Sequence, residues 1–152
     1  MEHKNDQSTV EMVHDFNLAF ELFDHINYTP KMPPPKAQLL RLQALVEEVG
    51  ELGEAIGNED FVGILDALTD LQYFLDGTYI AFGMAHLKGP AFAEVHRTNM
   101  AKLHDGRPVR NAAGRVQKPE GWKPPDLQRV IDEGERPHGG TGCGHEDCET
   151  CV

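Results

Sequence analysis

Apolar residues recur three or four positions apart along most of the chain, and this spacing predicts helices rather than strands. The predicted helices end at a glycine, at a proline-rich stretch or where the pattern fades. Their predicted bounds, in chain order, are residues 9–27, 37–56, 60–82 and 90–103. Ser8 or Thr9 is expected to cap the first helix, and Pro90 suits the first turn of the fourth.

The second and third predicted helices carry the longest apolar stripes. The second has Leu42, Leu45, Val46, Val49, Leu52 and Ile56. The third has Phe61, Ile64, Leu65, Leu68, Leu71, Leu75, Tyr79 and Phe82. Because such a stripe normally faces a core and short loops join antiparallel neighbours, we expect an all-α, antiparallel four-helix bundle.

The remaining segments are irregular. Four prolines within residues 29–36 exclude a continuing helix and favour an extended connector. A short strand pair is expected around Val109 and Val116, and a short helix over residues 125–133. We therefore predict one domain over residues 9–133 and a flexible tail over residues 134–152.

Composition narrows the possible partners. The chain has 152 residues, 14 of them basic and 25 acidic, which gives a formal charge of −11. That balance argues against nucleic acid or an anionic membrane as the main partner. No apolar run approaches the roughly 20 residues of a membrane span, and the N-terminal residues lack an apolar signal segment. We expect a cytoplasmic protein.

A set of acids on the second and third helices is the most informative polar feature. Its members are Glu47, Glu48, Glu51 and Glu54 on the second helix, with Asp66 and Asp70 on the third. At about 100° per residue the glutamates occupy one arc, with Glu48 at its edge. The two aspartates share a face, along which Gly77 would admit a close neighbour.

Two hypotheses explain these acids. Like charges at this spacing repel by a few tenths of a kcal/mol per pair, and no basic residue lies within residues 42–59. Mg²⁺ and Mn²⁺ prefer oxygen ligands and often hold substrate phosphates too, which favours a metal site shared by both helices. The alternative is a pair of solvated polar faces. Glycines at positions 50, 53 and 57 favour the metal site, because each costs about 1 kcal/mol in a helix.

Three segments together resemble the all-α nucleoside triphosphate pyrophosphohydrolases. The first is EExxE at residues 47–51, followed by a helix with a second acid pair. Residues 93–103, AEVHRTNMAKL, resemble the EVHRxNxxK segment of the MazG-like, bacterial dUTP-hydrolysing branch, which has phage-encoded members. Residues 114–127, GRVQKPEGWKPPDL, resemble that branch's KPEGWxPPD segment. The resemblance extends over residues 9–133.

The resemblance implies an enzyme that converts a (deoxy)nucleoside triphosphate, such as dUTP, to the monophosphate and pyrophosphate. Glu48, Glu51 and Asp70 would hold Mg²⁺ or Mn²⁺, and Glu47 would orient or deprotonate the attacking water. The family's second motif is ExxD, but this chain has Ala67 in place of the glutamate, and the neighbouring Asp66 would substitute for it. A homodimer or higher homo-oligomer is also implied.

The fourth helix is predicted to contact the substrate phosphates. Asn99 and Lys102 lie three positions apart, so an amide donor stands next to an ammonium, and Arg97 would join from a neighbouring turn. The alternative is that all three are ordinary surface residues.

Aromatic residues are the candidates for the nucleobase pocket. Lys118 and Trp122 lie in a proline-bounded loop, where Trp122 either packs the loop onto the helices or lines the pocket. On the first helix Phe16 and Asn17 are further pocket candidates, with a core position as the alternative for Phe16.

The last ten residues contain all three cysteines. Cys143, His145, Cys148 and Cys151 are zinc-ligand types, but their span is short for a closed tetrahedral site. The alternative is an acidic tail with reduced thiols.

Two other functions stay open at this point. Phosphoribosyl-ATP pyrophosphohydrolases share the fold family. Ala67 would also suit a catalytically inactive helical module that binds nucleotides or proteins.

Overall fold

The computed structural model describes residues 7–22 and 28–134. Helices dominate this part of the chain, which confirms the predicted all-α class. They are α1 (Thr9–Ala19), α2 (Pro35–Gly57), α3 (Phe61–Ala81), α4 (Lys88–Met100) and α5 (Leu127–Gly134). A single 3₁₀ turn, Ala85–Leu87, precedes α4, and a small antiparallel ribbon pairs β1 (Leu103–His104) with β2 (Arg107–Pro108).

Capping residues set the starts of the helices. Ser8 caps α1 through a reciprocal box: its hydroxyl accepts from the Glu11 N–H, and its own N–H donates to the Glu11 carboxylate at 2.6 Å. Pro35 occupies the first turn of α2. Asp60 caps α3 by accepting from two backbone N–H groups at 3.0 and 3.1 Å.

Two helices, α1 and α4, end earlier in the structure than the sequence predicts. Helix α1 ends at Ala19, because Glu21 adopts a left-handed φ of 54° that no helix continues through, and residues 23–27 lie outside the described part. Helix α4 ends at Met100, since β1 begins at Leu103.

The β1–β2 ribbon was not predicted. Its two-residue turn is Asp105-Gly106, with φ values of 48° and 76°, as a type I′ hairpin requires. The strand pair expected around Val109 and Val116 is present only as a single antiparallel bridge between Arg110 and Val116.

The chain divides into two compact units between Ala93 and Glu94. In the first unit α2 and α3 pack together across a short turn, and α1 packs on α3. The second unit contains the end of α4, the ribbon and α5.

Small side chains line the contact between α2 and α3. A Cβ added to Gly63 would lie 3.1 Å from the Cβ of Ala55, and Ala67 is also buried. The expectation that the predicted stripes form a core is therefore wrong for much of their length. Large stripe residues face outward and are 42–83% exposed, namely Leu42, Val46, Val49, Ile56, Phe61, Leu65, Leu68 and Leu75.

Candidate active site

The acids of α2 and α3 differ in their exposure. Glu48 is buried, with 8% of its surface exposed, whereas Glu47 and Glu51 on the same helix are exposed. One oxygen of Glu48, Oε2, is buried without a hydrogen-bond partner among the described residues. Asp66 and Asp70 on α3 are exposed. Helical spacing predicts that Glu48 lies at the edge of the polar arc of α2. Because α3 packs against α2, the side chain at that edge is buried.

Electrostatics shows that these acids form one cluster. Burial raises the pKa of Glu48, and the negative charges of four other acids raise it further, in the order Glu51, Asp70, Glu47 and Asp66. Acids from both helices therefore lie close enough to repel the Glu48 carboxylate. We call these five side chains the acid cluster.

The donor set of the acid cluster fits a hard divalent cation. It offers only carboxylate oxygens, and Glu48 Oε2 is a buried acceptor to which no described residue donates. Among residues 7–22 and 28–134, however, no three acidic, histidine or cysteine side chains already surround one point at ligand distance. Binding an ion would therefore require the exposed acids to turn inward toward Glu48.

Ala67, which stands where the resemblance places a glutamate, is almost completely buried at 3% exposure. A charged side chain at this position would have to leave the contact between α2 and α3 to reach solvent. Asp66 beside it is exposed and acts on Glu48, so the structure puts a carboxylate near the cluster one position earlier.

The glycines of the two helices differ in their surroundings. A Cβ added to Gly50, Gly53 or Gly57 would meet no atom within 4 Å, so close packing does not account for them. A Cβ at Gly77 would lie 2.7 Å from a guanidinium nitrogen of Arg41, which confirms the predicted close neighbour. Desolvation lowers the pKa of Arg41.

Arg41 was missed in the sequence as a candidate for the site. It lies seven residues before Glu48, so the two share a face of α2. Its guanidinium reaches Gly77, which continues the α3 face that carries Asp66 and Asp70. This spacing on the two helices is the signal that could have identified it.

The two base-pocket candidates on α1, Phe16 and Asn17, differ in their burial and contacts. Phe16 stacks on Phe20 at 4.3 Å between centroids and meets Tyr73 of α3 edge-on at 5.7 Å. Phe16 is 39% exposed, so the core alternative for it is wrong. Asn17 is 2% exposed, and its amide nitrogen has no hydrogen-bond partner among the described residues. An unpartnered buried amide donor is a group that a polar ligand could satisfy, and a partly exposed aromatic ring offers a stacking surface.

The predicted phosphate contacts on α4 and just after it lie in the second unit. Arg97 donates to both carboxylate oxygens of Glu94 at 2.8 Å, and Lys102 donates to Asn99 Oδ1 at 2.7 Å. The structure thus places Asn99 and Lys102 side by side, as their spacing predicted. Their contact with phosphate stays a prediction.

Trp122 packs its loop onto α4. The indole N–H donates to the Thr98 carbonyl oxygen at 2.8 Å, and Lys118 Nζ lies 4.2 Å above the ring centroid. The structure therefore shows a packing contact for Trp122, and its place in a nucleobase pocket stays a prediction. The same side chain also lines a cleft together with Arg97 and Lys123.

Two buried carboxylates were not singled out in the sequence. Asp76 has no exposed surface and pairs with Lys88, and Glu94 is 5% exposed and binds Arg97 and Arg129. An acid within the apolar run Phe74–Ile80 was the available signal for Asp76. Both acids are paired with basic groups, whereas Oε2 of Glu48 has no hydrogen-bond partner within the described ranges.

The zinc ligands proposed for the tail, Cys143, His145, Cys148 and Cys151, lie outside the described residues. Over residues 7–22 and 28–134, no helix is both long enough and apolar enough to cross a bilayer.

Comparison with known proteins gives one family match and no curated relative. A search of curated proteins found no match. A family profile described as phosphoribosyl-ATP pyrophosphohydrolase matches residues 13–99, which include the whole acid cluster. This family lies within the MazG-like all-α superfamily, so the resemblance inferred from the sequence is confirmed at that level. The chain belongs to the phosphoribosyl-ATP pyrophosphohydrolase family, whose members hydrolyse an anhydride bond of a nucleotide.

Proposed function

We propose that the chain hydrolyses a nucleoside triphosphate, foremost dUTP or a related deoxynucleotide, between its α and β phosphates. The products are the monophosphate and pyrophosphate. The observation that carries this proposal is the buried Glu48 carboxylate oxygen, which lies among four further acids and has no partner in the part of the chain that the structure describes. Such a cluster is costly unless a cation compensates it, and polyphosphate substrates normally arrive with Mg²⁺.

Glu48, Glu51 and Asp70 would hold Mg²⁺ or Mn²⁺, with Asp66 as a fourth ligand. A bound divalent ion would neutralise the phosphate chain and lower the pKa of a coordinated water. Glu47 lies on the exposed rim of the cluster and would accept the proton of the attacking water. A new bond forms between the water oxygen and the α phosphorus, and the bond to the bridging oxygen breaks, so pyrophosphate leaves.

Asn17 and Phe16 are proposed to recognise the base. Asn17 has a buried amide donor without a partner among the described residues, and Phe16, the preceding residue of α1, has a partly exposed ring. Uracil and related bases carry carbonyl acceptors that such an amide would bind. Replacement of Asn17 by alanine should therefore reduce discrimination between bases more than it reduces overall turnover.

A second substrate, phosphoribosyl-ATP, is favoured by the family profile over residues 13–99. Its hydrolysis breaks the same bond and also releases pyrophosphate, so the acid cluster would act in the same way. The difference lies in the group attached to the base, which the acid cluster does not contact. The choice between the two substrates therefore depends on the base pocket.

A substrate panel tests these proposals. Purified full-length chain is incubated with each common dNTP and NTP and with phosphoribosyl-ATP, in Mg²⁺ or Mn²⁺. Monophosphate is quantified by chromatography and pyrophosphate by coupled inorganic pyrophosphatase. Release of both from any substrate supports the enzyme, and EDTA should abolish it. The absence of product from every substrate would favour an inactive binding module.

Matched variants connect any activity to the acid cluster. Glu48→Gln and Asp70→Asn should abolish turnover while circular dichroism shows unchanged helix content. Glu54→Gln makes the same change on an exposed part of α2, and Glu54 is not among the acids that raise the Glu48 pKa. Full activity in Glu48→Gln, or equal losses in Glu48→Gln and Glu54→Gln, would refute the assignment.

A homodimer is also proposed. The apolar stripes of α2 and α3 are exposed in the single chain, and a second copy would cover them.

A further inference from the structure

Two close approaches fix the register of α2 against α3. A Cβ added to Gly63, near the start of α3, would lie 3.1 Å from the Cβ of Ala55. A Cβ added to Gly77, fourteen residues further along α3, would lie 2.7 Å from the guanidinium of Arg41, fourteen residues earlier on α2. The two helices therefore run antiparallel, and each step forward along one matches an equal step backward along the other.

This register assigns a neighbour to each residue of the facing surfaces. It places Glu48 level with Asp70, which agrees with the contribution of Asp70 to the raised pKa of Glu48. Three residues away, or about 4.5 Å along the helix axis, it places Leu45 level with Tyr73. Leu45 and Tyr73 are both half-buried, so part of each side chain is open to a ligand. We call these two side chains the apolar band.

Helix α1 runs along the same face of α3. A Cβ added to Gly77 would lie 3.7 Å from Val13 Cγ1, and Phe16 meets Tyr73 edge-on at 5.7 Å between ring centroids. The helix ends three residues after Phe16, and Asp70, one turn of α3 from Tyr73, is exposed. Tyr73 therefore contacts α1 on one side and lies next to the acid cluster on the other.

The position of Tyr73 relates two groups that already have proposed roles. Phe16 is proposed to contact the base, and Asp70 is proposed to hold the metal ion that binds the phosphates. In a nucleotide the sugar connects the base to the α phosphate, so a substrate bound by both groups would turn its sugar toward the apolar band. The Leu45 side chain has no hydrogen-bonding group, and Tyr73 has only the hydroxyl at the tip of its ring.

We propose that Leu45 and Tyr73 contact the sugar of the substrate and make the site selective for deoxyribonucleotides. A 2′-hydroxyl placed against these side chains would lose its hydrogen bonds to water without gaining a partner. The methylene at the same position of a deoxyribose loses nothing. The preference should lie between about tenfold and about a hundredfold, the range by which an apolar pocket rejects an added hydroxyl. This inference rests on the proposed function, because it assigns the sugar preference of that site.

Matched pairs of substrates measure the preference. Each common deoxynucleotide and the ribonucleotide with the same base are hydrolysed by the full-length chain in Mg²⁺, and the ratio of their kcat/KM values is determined. Calorimetry with the non-hydrolysable α,β-imido analogues of dUTP and UTP gives a second ratio, from affinity alone. Both ratios should favour the deoxy compound by about tenfold or more.

Variants of the apolar band test its role. Leu45→Ser supplies a partner for the 2′-hydroxyl and should lower both ratios about fivefold, as expected for one gained hydrogen bond. Tyr73→Ala admits water beside the sugar and should also lower them, whereas Tyr73→Phe keeps the ring and should keep the preference. Loss of the preference in Tyr73→Phe would show that the hydroxyl sets it and would overturn the apolar band.

A matched control separates contact with the sugar from general damage. Leu39 is 55% exposed and lies about 120° around α2 from Leu45, so Leu39→Ser should leave both ratios within twofold of wild type. A variant that folds poorly loses activity on both members of a pair, and the ratio is then unaffected. Equal changes of the ratios in Leu39→Ser and Leu45→Ser would refute the assignment.

The two measurements also separate this inference from the proposed function. Equal hydrolysis of deoxynucleotides and ribonucleotides would leave the proposed function in place and overturn the apolar band. If no substrate is hydrolysed but the dUTP analogue binds more tightly than the UTP analogue, and Leu45→Ser removes the difference, the proposed hydrolysis fails and the band remains. Saturable binding of neither analogue would overturn the band.

Discussion

The ammonium of Lys88 lies 2.5 Å from one carboxylate oxygen of Asp76, whose side chain has no exposed surface. Gln72 donates to the other oxygen at 3.0 Å, and Lys88 also donates to the Thr9 hydroxyl at 3.1 Å. A single buried carboxylate and one lysine therefore connect the first turns of α1 and α4 to the C-terminal part of α3. Such a pair stabilises a fold only while both charges are present, because either one alone is costly to bury.

Loss of either partner of this ion pair should destabilise the protein strongly. Asp76→Asn should lower the free energy of unfolding by about 3 kcal/mol, because it leaves the Lys88 charge without its counter-ion. Urea denaturation followed by circular dichroism measures this. Asp132→Asn makes the same change on the exposed surface of α5 and should stay within about 0.5 kcal/mol of wild type. A double variant with Lys88→Met should lose less than the sum of the single losses, and full additivity would contradict the pairing.

Glu94 should make the stability of the second unit sensitive to acid. The Arg97 hydrogen bonds, followed by the Asp126 backbone N–H, lower the pKa of Glu94 from 4.5 to about 2. A carboxyl with a lower pKa in the folded state contributes stability above pH 4.5 and loses it as pH falls toward about 2. Melting temperatures measured from pH 6 to pH 2.5 should therefore fall less steeply in Glu94→Gln than in wild type.

A matched control separates this effect from general acid sensitivity. Glu120→Gln removes an exposed carboxylate from the same unit and should leave the wild-type slope in place. If Glu94→Gln and wild type lose stability in parallel over the whole pH range, the Glu94 pairing does not contribute to acid stability.

The bounds of the helices can be predicted from local sequence signals, whereas the burial of individual acidic side chains cannot. The bounds of α2 and α3 lie within two residues of their predicted values, because Pro35, Asp60 and the glycine-containing ends act locally. Residue spacing does not predict that Glu48 is buried while Glu47 is exposed. That difference depends on how α3 packs against α2.

The contacts around Glu94 could not be predicted from the sequence either. Its partners Asp126 and Arg129 lie 32 and 35 residues along the chain, and no helical periodicity relates residues so far apart. Trp122 illustrates the same limit, because its bond to the Thr98 carbonyl depends on a loop that folds back over α4. Spacing identifies residues that share one element, whereas contacts between distant segments require the three-dimensional fold.

Glu48→Gln should stabilise the metal-free protein. Burial and the neighbouring acids raise the pKa of Glu48 above 4.5, so the folded state holds its proton more tightly than the unfolded state. Stability from this group is therefore greatest at low pH and falls as pH rises from 4.5 through the raised pKa. In EDTA at pH 8, Glu48→Gln should melt at a higher temperature than wild type.

Divalent metal should reverse the order of the two melting temperatures, so that wild type melts above Glu48→Gln. Mg²⁺ or Mn²⁺ would raise the melting temperature of wild type, since an ion that binds only the folded state stabilises it, and it should have no effect on Glu48→Gln. Glu54→Gln should respond to metal as wild type does. A Glu48→Gln variant that melts at or below wild type in EDTA would show that the acid cluster does not strain the fold.

The exposed apolar stripes should hold two copies of the chain together. On α2, Leu42, Val46, Val49 and Ile56 follow the alternating four- and three-residue spacing of a helix–helix seam, with Gly53 completing the repeat. Each of these four large side chains is 58–63% exposed, which is unusual for a seam in an isolated chain. Light scattering after size exclusion should therefore give about twice the chain mass of 16.9 kDa.

A charge placed within the seam should separate the two copies. Val46→Glu would bury a carboxylate against apolar side chains of the partner, so its mass should fall to that of one chain at micromolar concentration. Val116→Glu introduces the same charge at an exposed valine of the second unit and should leave the mass unchanged. If wild type is a monomer at high concentration, or if Val46→Glu keeps the wild-type mass, the stripe has another role. The strained acid cluster beside the stripe would then have to be stabilised by metal within one chain.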